Sequence, residues 1–227
     1  MDGIDERYSR NIPALSPEEC AALRSKRVCV AGCGGLGGYI IELLARAGAG
    51  ELVVADGDVF DVSNLNRQLL SKESNIGQKK ARAAALRVAE INSGVKVISE
   101  EEMFTAESGP RLLKGCDLAL DALDSAEARL TLARACNEAG ICLVHGAISG
   151  WFAQVTVIAP GSGTMEKLYP PKKNKPPSRG NLGFVASVCA AIQVSEAVKL
   201  LCGRESELSG KLLIMDLKTP DFTKIDI

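Results

Sequence analysis

The chain is poor in the residues that most often announce a function. Aromatic residues make up only 4% of its 227 positions, with a single tryptophan and a single histidine. None of its eight cysteines stands in a C-x-x-C pair, which excludes the commonest zinc and dithiol patterns. No apolar run reaches the ~18 residues a membrane span needs, and the opening MDGIDERYSR has no apolar segment of the signal-peptide kind. An excess of one charge is missing too: the formal net charge is −1, so neither nucleic acid nor a membrane surface is indicated as a partner. These absences predict a cytoplasmic protein whose thiols are buried and free. What is present is ordinary for a globular chain, 46% hydrophobic and 24% charged residues, over a length that suits one α/β domain.

Short apolar, β-branched runs alternate with helix-forming ones. RVCVA (27–31), ELVVAD (51–56), VKVIS (95–99), DLALDAL (117–123) and ICLVH (141–145) read as strands. Residues 36–47, 76–91, 105–114 and 126–139 read as helices, the first stopped by Gly48. Strands alternating with helices predict an α/β fold, a Rossmann-like and mostly parallel sheet flanked by helices. After residue 147 the rhythm changes. WFAQVTVIAP reads as a longer strand, 160–181 as a Pro- and Lys-rich loop, 182–202 as a long apolar helix, and KLLIMDL and FTKIDI as antiparallel terminal strands. The predicted organisation is a single domain over 1–227: an N-terminal helical arm (1–25), a Rossmann-like part (26–147) and a C-terminal part (148–227) containing the loop.

The first strand runs into Gly32-Cys33-Gly34-Gly35-Leu36-Gly37, a G-x-G-x-x-G turn that opens a helix. Glycines let backbone approach a phosphate closely, and the helix N-terminus offers free N–H groups. Asp56 ends the second strand, where a carboxylate that binds ribose hydroxyls is expected. The turn predicts a nucleotide but does not choose between NAD, FAD and ATP. The following segment carries Asn64, Asn66, Arg67 and Gln68, then Lys79 and Lys80 at the start of a helix. Such cations suit a polyphosphate. Asp121 and Asp124 close the fourth strand, at the sheet edge where open α/β folds bind ligands. A carboxylate facing that cradle suits Mg²⁺, while the other reading of Asp124 is a helix cap. His145, at the end of the fifth strand, reads as structural or ligand-neighbouring, with acid–base work as the alternative.

RYSRNI (7–12), GCGGLG (32–37), DGD (56–58), SNLNRQ (63–68), IGQKKA (76–81) and LDALDS (120–125) occur in this order. Together they resemble the ThiF/MoeB/HesA family, relatives of the ubiquitin-activating enzymes, over essentially the whole chain. The resemblance implies ATP-dependent adenylation of the C-terminal glycine carboxylate of a small ubiquitin-like sulfur-carrier protein, with pyrophosphate released, in thiamine or molybdopterin biosynthesis. It implies that Gly32, Gly34, Gly35 and Gly37 hold ATP, that Asp56 binds the ribose, and that Asn66, Arg67 and Lys80 contact the phosphates. Asp58, Asn64 and Gln68 join this nucleotide-binding set. Asp124 would bind Mg²⁺ near the α-phosphate. Arg10 would be an arginine finger reaching across from the partner subunit of a homodimer. Residues 148–227 would bind the carrier, with 160–181 crossing over its extended tail ending in Gly-Gly.

The chain departs from that pattern in two places. Many members carry two C-x-x-C pairs holding one zinc; SGTMEKLYPP has no cysteine where one pair is expected, and no second pair is present, so no zinc is expected. Some members use a cysteine in the loop before the long helix. Here the loop has none and Cys189 lies within the helix, so it reads as packed, with the reaction ending at the acyl-adenylate. Cys33 reads as a small space-filling residue. Residues 164–181 hold Lys167, Lys172, Lys173, Lys175 and Arg179 against Glu166, which reads either as a solvated mobile loop or as a surface for acidic carriers. Two alternatives stand beside adenylation: a non-catalytic nucleotide- or carrier-binding scaffold, and an NAD/FAD-dependent oxidoreductase, which leaves SNLNRQ, Lys80 and RYSR without a role.

Overall fold

Five short runs, four of them carrying β-branched residues, lie side by side as the parallel half of one eight-stranded sheet. The computed structural model describes residues 5–170 and 179–227; Lys172, Lys173 and Lys175 of the basic loop lie outside the described residues. The strands are β1 (Arg27–Ala31), β2 (Glu51–Ala55), β3 (Lys96–Glu100), β4 (Leu118–Asp121), β5 (Cys142–Ser149), β6 (Phe152–Ile158), β7 (Lys211–Asp216) and β8 (Asp221–Asp226). The helices are α1 (Pro17–Arg24), α2 (Gly37–Ala47), α3 (Lys80–Ile91), α4 (Gly109–Leu112), α5 (Ala126–Ala139), α6 (Thr164–Leu168) and α7 (Gly183–Leu201). The order in the sheet is β3-β2-β1-β4-β5-β6-β7-β8, with β6, β7 and β8 antiparallel, as expected for the C-terminal part. The strand order reverses between β1 and β4, the switch point at which open α/β sheets leave a crevice.

Two apolar layers cover the sheet. On one side Ile40, Ile41 and Leu44 of α2 join Ala84 and Val88 of α3 and Val185, Cys189 and Ala197 of α7. On the other, Leu112, Leu132, Cys136 and Met165 pack with Phe104 over β4 and β5. Each fully buried Leu or Ile contributes ~1.5–3 kcal/mol relative to exposure, so α2 is anchored by its buried face. That matters because α2 has no side-chain N-cap: packing holds the helix, and its N-cap residue Leu36 lies on the crevice.

The structure corrects four local expectations. Residues 76–79 are not helical: Gly77 is left-handed at φ +84, and the segment bonds back to Phe60 through Gly77 N and Gln78 O. The helix predicted at 105–114 contracts to α4, because Thr105 and Ser108 close a hydrogen-bonded turn in front of Pro110. The loop at 160–181 contains the short helix α6, seated by buried Thr164 and Met165. Finally, α7 is long and apolar enough by length and composition to cross a bilayer. In this fold its apolar surface packs on α2, β5 and β6, and it buries Gln193 and Glu196.

Candidate functional site

The crevice is lined by Gly32, Gly34, Gly35, Asp56, Asp58, Arg67, Gln68, Lys80 and Asp124, together with Met103, Arg129 and Asn181. Nine of these were singled out from the sequence, and they come from five separate segments. Their convergence follows from topology: the ends of β1, β2 and β4 are neighbours, so the turns after them share one edge.

The glycine turn divides its labour. A Cβ on Gly32 would meet the Ala122 carbonyl oxygen at 2.6 Å, and one on Gly37 would meet the Gly32 carbonyl oxygen at 1.9 Å. These two allow the turn to close on itself, and Gly37 sits behind the turn, outside the crevice lining. Gly34 and Gly35 instead face Gln68 and Arg67 at ordinary contact distance. Asp56 is nearly buried and accepts from the Cys33 N–H at 2.7 Å and the Asp58 N–H at 2.8 Å. A carboxylate has about four acceptor positions, so it locks the turn and still retains capacity for a ribose hydroxyl.

Two cations, Lys80 and Arg67, line the same crevice. Lys80 is buried and ion-paired with the half-exposed Asp58 at 2.9 Å. Arg67 uses Nη1 on the Ser63 carbonyl and the Asn66 Oδ1, both at 2.9 Å, which leaves its Nη2 and Nε without a protein partner among the described residues. Gln68 has a buried Oε1 with no partner, a hydrogen-bonding group the protein alone does not satisfy.

Other expected site residues are placed elsewhere. Asn64 is buried and caps the turn Val62–Asn64 by accepting from the Asp61 N–H; it serves the backbone of the cradle and does not line the crevice. Asn66 lies behind Arg67 and donates to the Asn181 carbonyl at 3.1 Å. Arg10 is exposed at the end of the 3-10 helix Glu6–Asn11, away from this crevice in its own chain. Asp124 is exposed at the crevice rim. Capping of α5 falls to Ser125, which accepts from the Ala128 N–H, so the Asp124 carboxylate is not used as the cap. Asp121 and His145 are fully buried and bonded to each other at 2.7 Å, and neither is part of the crevice lining. Arg129 and Asn181 were missed. Arg129 lies five residues after Asp124, a spacing that carries no signal until α5 turns it back toward the crevice.

Magnesium needs only one or two carboxylates when substrate phosphates supply other ligands. Among the described residues no group of three or more His, Cys, Asp or Glu side chains could hold a metal. An exposed Asp124 on the same crevice as Lys80 and Arg67 fits that economy.

Cys189 is fully buried, with its sulfur against the carbonyls of Ala147 and Gln154. Burial pushes its thiol up to about 12, so almost no thiolate is present near neutrality. Cys189→Ala is therefore expected to leave any activity of the crevice within about twofold, because a group without thiolate character is not the nucleophile. Loss of turnover in a folded variant, checked by circular dichroism, would overturn that.

The profile of the ThiF family matches residues 8–227. The SAMP-activating enzyme E1 of Haloferax volcanii is 37% identical over 227 aligned residues, covering 97% of this chain and 84% of that protein. The sulfur carrier protein adenylyltransferase of Thermus thermophilus is 32% identical, covering 98% of this chain and 87% of that protein. Against other curated relatives the chain spans about half their length. The crystal structure of E. coli MccB superposes with a TM-score of 0.80 at 19% identity, over 97% of this chain and 69% of that one; this likeness is one of fold.

Proposed function

The chain belongs to the ThiF family, and on that footing we propose that it is an ATP-dependent adenylyltransferase. Its substrate is the C-terminal glycine carboxylate of a small ubiquitin-like sulfur carrier ending in Gly-Gly, and the pathway served is thiamine or molybdopterin biosynthesis. The observation that carries this reading is the meeting of Arg67 and Lys80 with the uncapped start of α2 at one crevice. A dehydrogenase has no need of that cationic side, and a pure scaffold has no need of two cations beside a rim carboxylate.

The chemistry asks little of acids and bases. The carrier carboxylate is ionised at pH 7 and already a nucleophile. It attacks the α-phosphorus, an oxygen–phosphorus bond forms, and the bond to pyrophosphate breaks. The protein positions the groups and offsets charge. The backbone N–H groups of the turn at Gly34, Gly35 and Leu36, just before α2, meet phosphate oxygens, Arg67 offers Nη2 and Nε, and Lys80 exchanges Asp58 for phosphate. Asp56 receives the ribose. Asp124 would hold Mg²⁺, which supplies further charge neutralisation at the phosphates; no zinc is part of this reading. Arg10 is exposed and lies outside its own crevice, which supports a homodimer in which it serves the partner's. The free cysteines and the sequence support a cytoplasmic setting.

ATP with Mg²⁺ at one hundred times its Kd should stabilise the protein by ~2.7 kcal/mol, a rise in unfolding temperature of ~5–10 °C, and NADH should give none. Adding the carrier should start ATP–pyrophosphate exchange, and a carrier whose terminal carboxylate is amidated should not. Stabilisation by NADH alone, or no exchange with any free Gly-Gly carrier, would end the reading.

A further inference from the structure

Four titratable side chains beside the crevice have no part in the chemistry above. Asp121, His145, Tyr169 and Arg129 form a continuous chain from β4 and β5 to the end of α6 and back to α5. His145 Nδ1 lies 2.7 Å from Asp121 Oδ2, and its Nε2 lies 3.2 Å from the Tyr169 hydroxyl. Arg129 Nη1 donates to the Tyr169 oxygen at 2.7 Å, and Gln154 donates to it at 3.3 Å.

The donors can be accounted for. With its proton on Nδ1, donated to Asp121 Oδ2, His145 leaves Nε2 as an acceptor. The Tyr169 O–H donates to that acceptor at 3.2 Å, beside the Gln154 amide nitrogen at 3.3 Å, while the Tyr169 oxygen receives Arg129 and Gln154. Burial pushes the Tyr169 phenol up against the opposing pull of Arg129, so the hydroxyl keeps its proton near neutrality.

The far side of Arg129 explains what the chain holds. Its Nε and Nη2 both donate to the Leu123 carbonyl, at 3.1 and 2.8 Å. The Leu123 N–H donates to Asp121 Oδ1 at 2.9 Å. Residue 123 is thus gripped at both ends of its backbone, by Arg129 and by Asp121, and the next residue is Asp124 at the rim.

We propose that Tyr169 is a positioning residue of this site: its hydroxyl, set between His145 and Arg129, keeps the Arg129 guanidinium on the Leu123 carbonyl and so fixes the turn that presents Asp124. The inference rests on the adenylation reading and adds to it a link from α6, in the C-terminal part, to the nucleotide crevice. A tyrosine that merely filled space would do as well without its oxygen.

The test is Tyr169→Phe in the full chain, which keeps the ring and removes the hydroxyl. Its kcat for ATP–pyrophosphate exchange should fall ~10–100-fold, as small misplacements of reacting groups do, with KM for ATP within about twofold. The unfolding temperature should fall by no more than ~4 °C, the scale of one lost hydrogen bond. Hydrogen exchange at the Leu123 amide should quicken about tenfold while core amides stay unchanged, a local opening. Arg129→Lys should slow kcat to a similar degree, and adding Tyr169→Phe to it should cost less than about twofold more, since one linkage is being broken twice. A parent-like kcat in Tyr169→Phe, an unchanged Leu123 amide, or additive losses would each overturn the proposal. Absence of exchange in the parent protein would instead bring down the adenylation reading, and this inference with it.

Discussion

Arg67→Ala should lower ATP–pyrophosphate exchange by ~10²–10³-fold, the effect of removing one preorganised charge worth ~3 kcal/mol from a transition state. The unfolding temperature should stay within ~2 °C, because changes at positions without buried packing stay near ±0.5 kcal/mol. The structure separates the two effects. The partners of Arg67 are local, the Ser63 carbonyl four residues back and the adjacent Asn66 side chain. Neither leaves a buried charge behind when the guanidinium goes. Its remaining N–H groups have no protein partner among the described residues, so what they stabilise is brought by substrate. Asn66 makes the argument sharper. It orients Arg67 without lining the crevice, so Asn66→Ala should give a smaller loss in the same direction. Steady-state exchange with calorimetric melting of each variant checks both. Exchange near the parent rate in Arg67→Ala would remove Arg67 from the site, and a melting drop beyond ~5 °C would recast it as a structural residue.

The contrast between Arg67 and Asn64 shows what the string SNLNRQ could not disclose. Both are polar residues of one motif, and the linear spacing offers no reason to separate them. The 3-10 turn at Val62–Asn64 separates them: it points Asn64 inward to cap its own backbone and carries Arg67 and Gln68 to the crevice. The strands and the parallel order were readable because buried apolar runs have a short-range signature. So was Asp56, since its place depends only on strand length. The Asp121–His145–Tyr169–Arg129 chain was not readable, because its members lie up to 48 residues apart and meet only through the pairing of β4 with β5 and the seating of α6. The break at 76–79 was hidden for a related reason: helix-forming residues there are overruled by two hydrogen bonds to Phe60.

Gly37→Ala should be among the most damaging single-methyl changes available to this chain, and it should act on the fold before it acts on the nucleotide. The added Cβ would lie 1.9 Å from the Gly32 carbonyl oxygen, 2.7 Å from its carbon and 3.3 Å from the Ala122 Cβ. Its main obstacle is backbone, so no rotamer change relieves it. Gly32 in turn cannot retreat, because its N–H is bonded to the Ala55 carbonyl at 2.8 Å and its own α-hydrogens face the Ala122 carbonyl. Overpacking of a well-packed site costs 1–3 kcal/mol and occasionally more; with backbone on both sides, ~4 kcal/mol is expected, or ~8–16 °C in unfolding temperature for a chain of this size. Gly34→Ala supplies the comparison. Its Cβ would meet nothing nearer than Gln68 Nε2 at 3.7 Å, so the fold should tolerate it, with a melting change under ~2 °C. That methyl group faces the crevice, however, where backbone must approach phosphate closely. The two variants should therefore fail differently: Gly37→Ala melts early with or without ATP and Mg²⁺, whereas Gly34→Ala melts like the parent but gains no stability from the nucleotide. Parent-like melting of Gly37→Ala would mean that the turn has slack the geometry denies, and a full ATP-dependent shift in Gly34→Ala would move the phosphates away from the face of the turn on which this site is built.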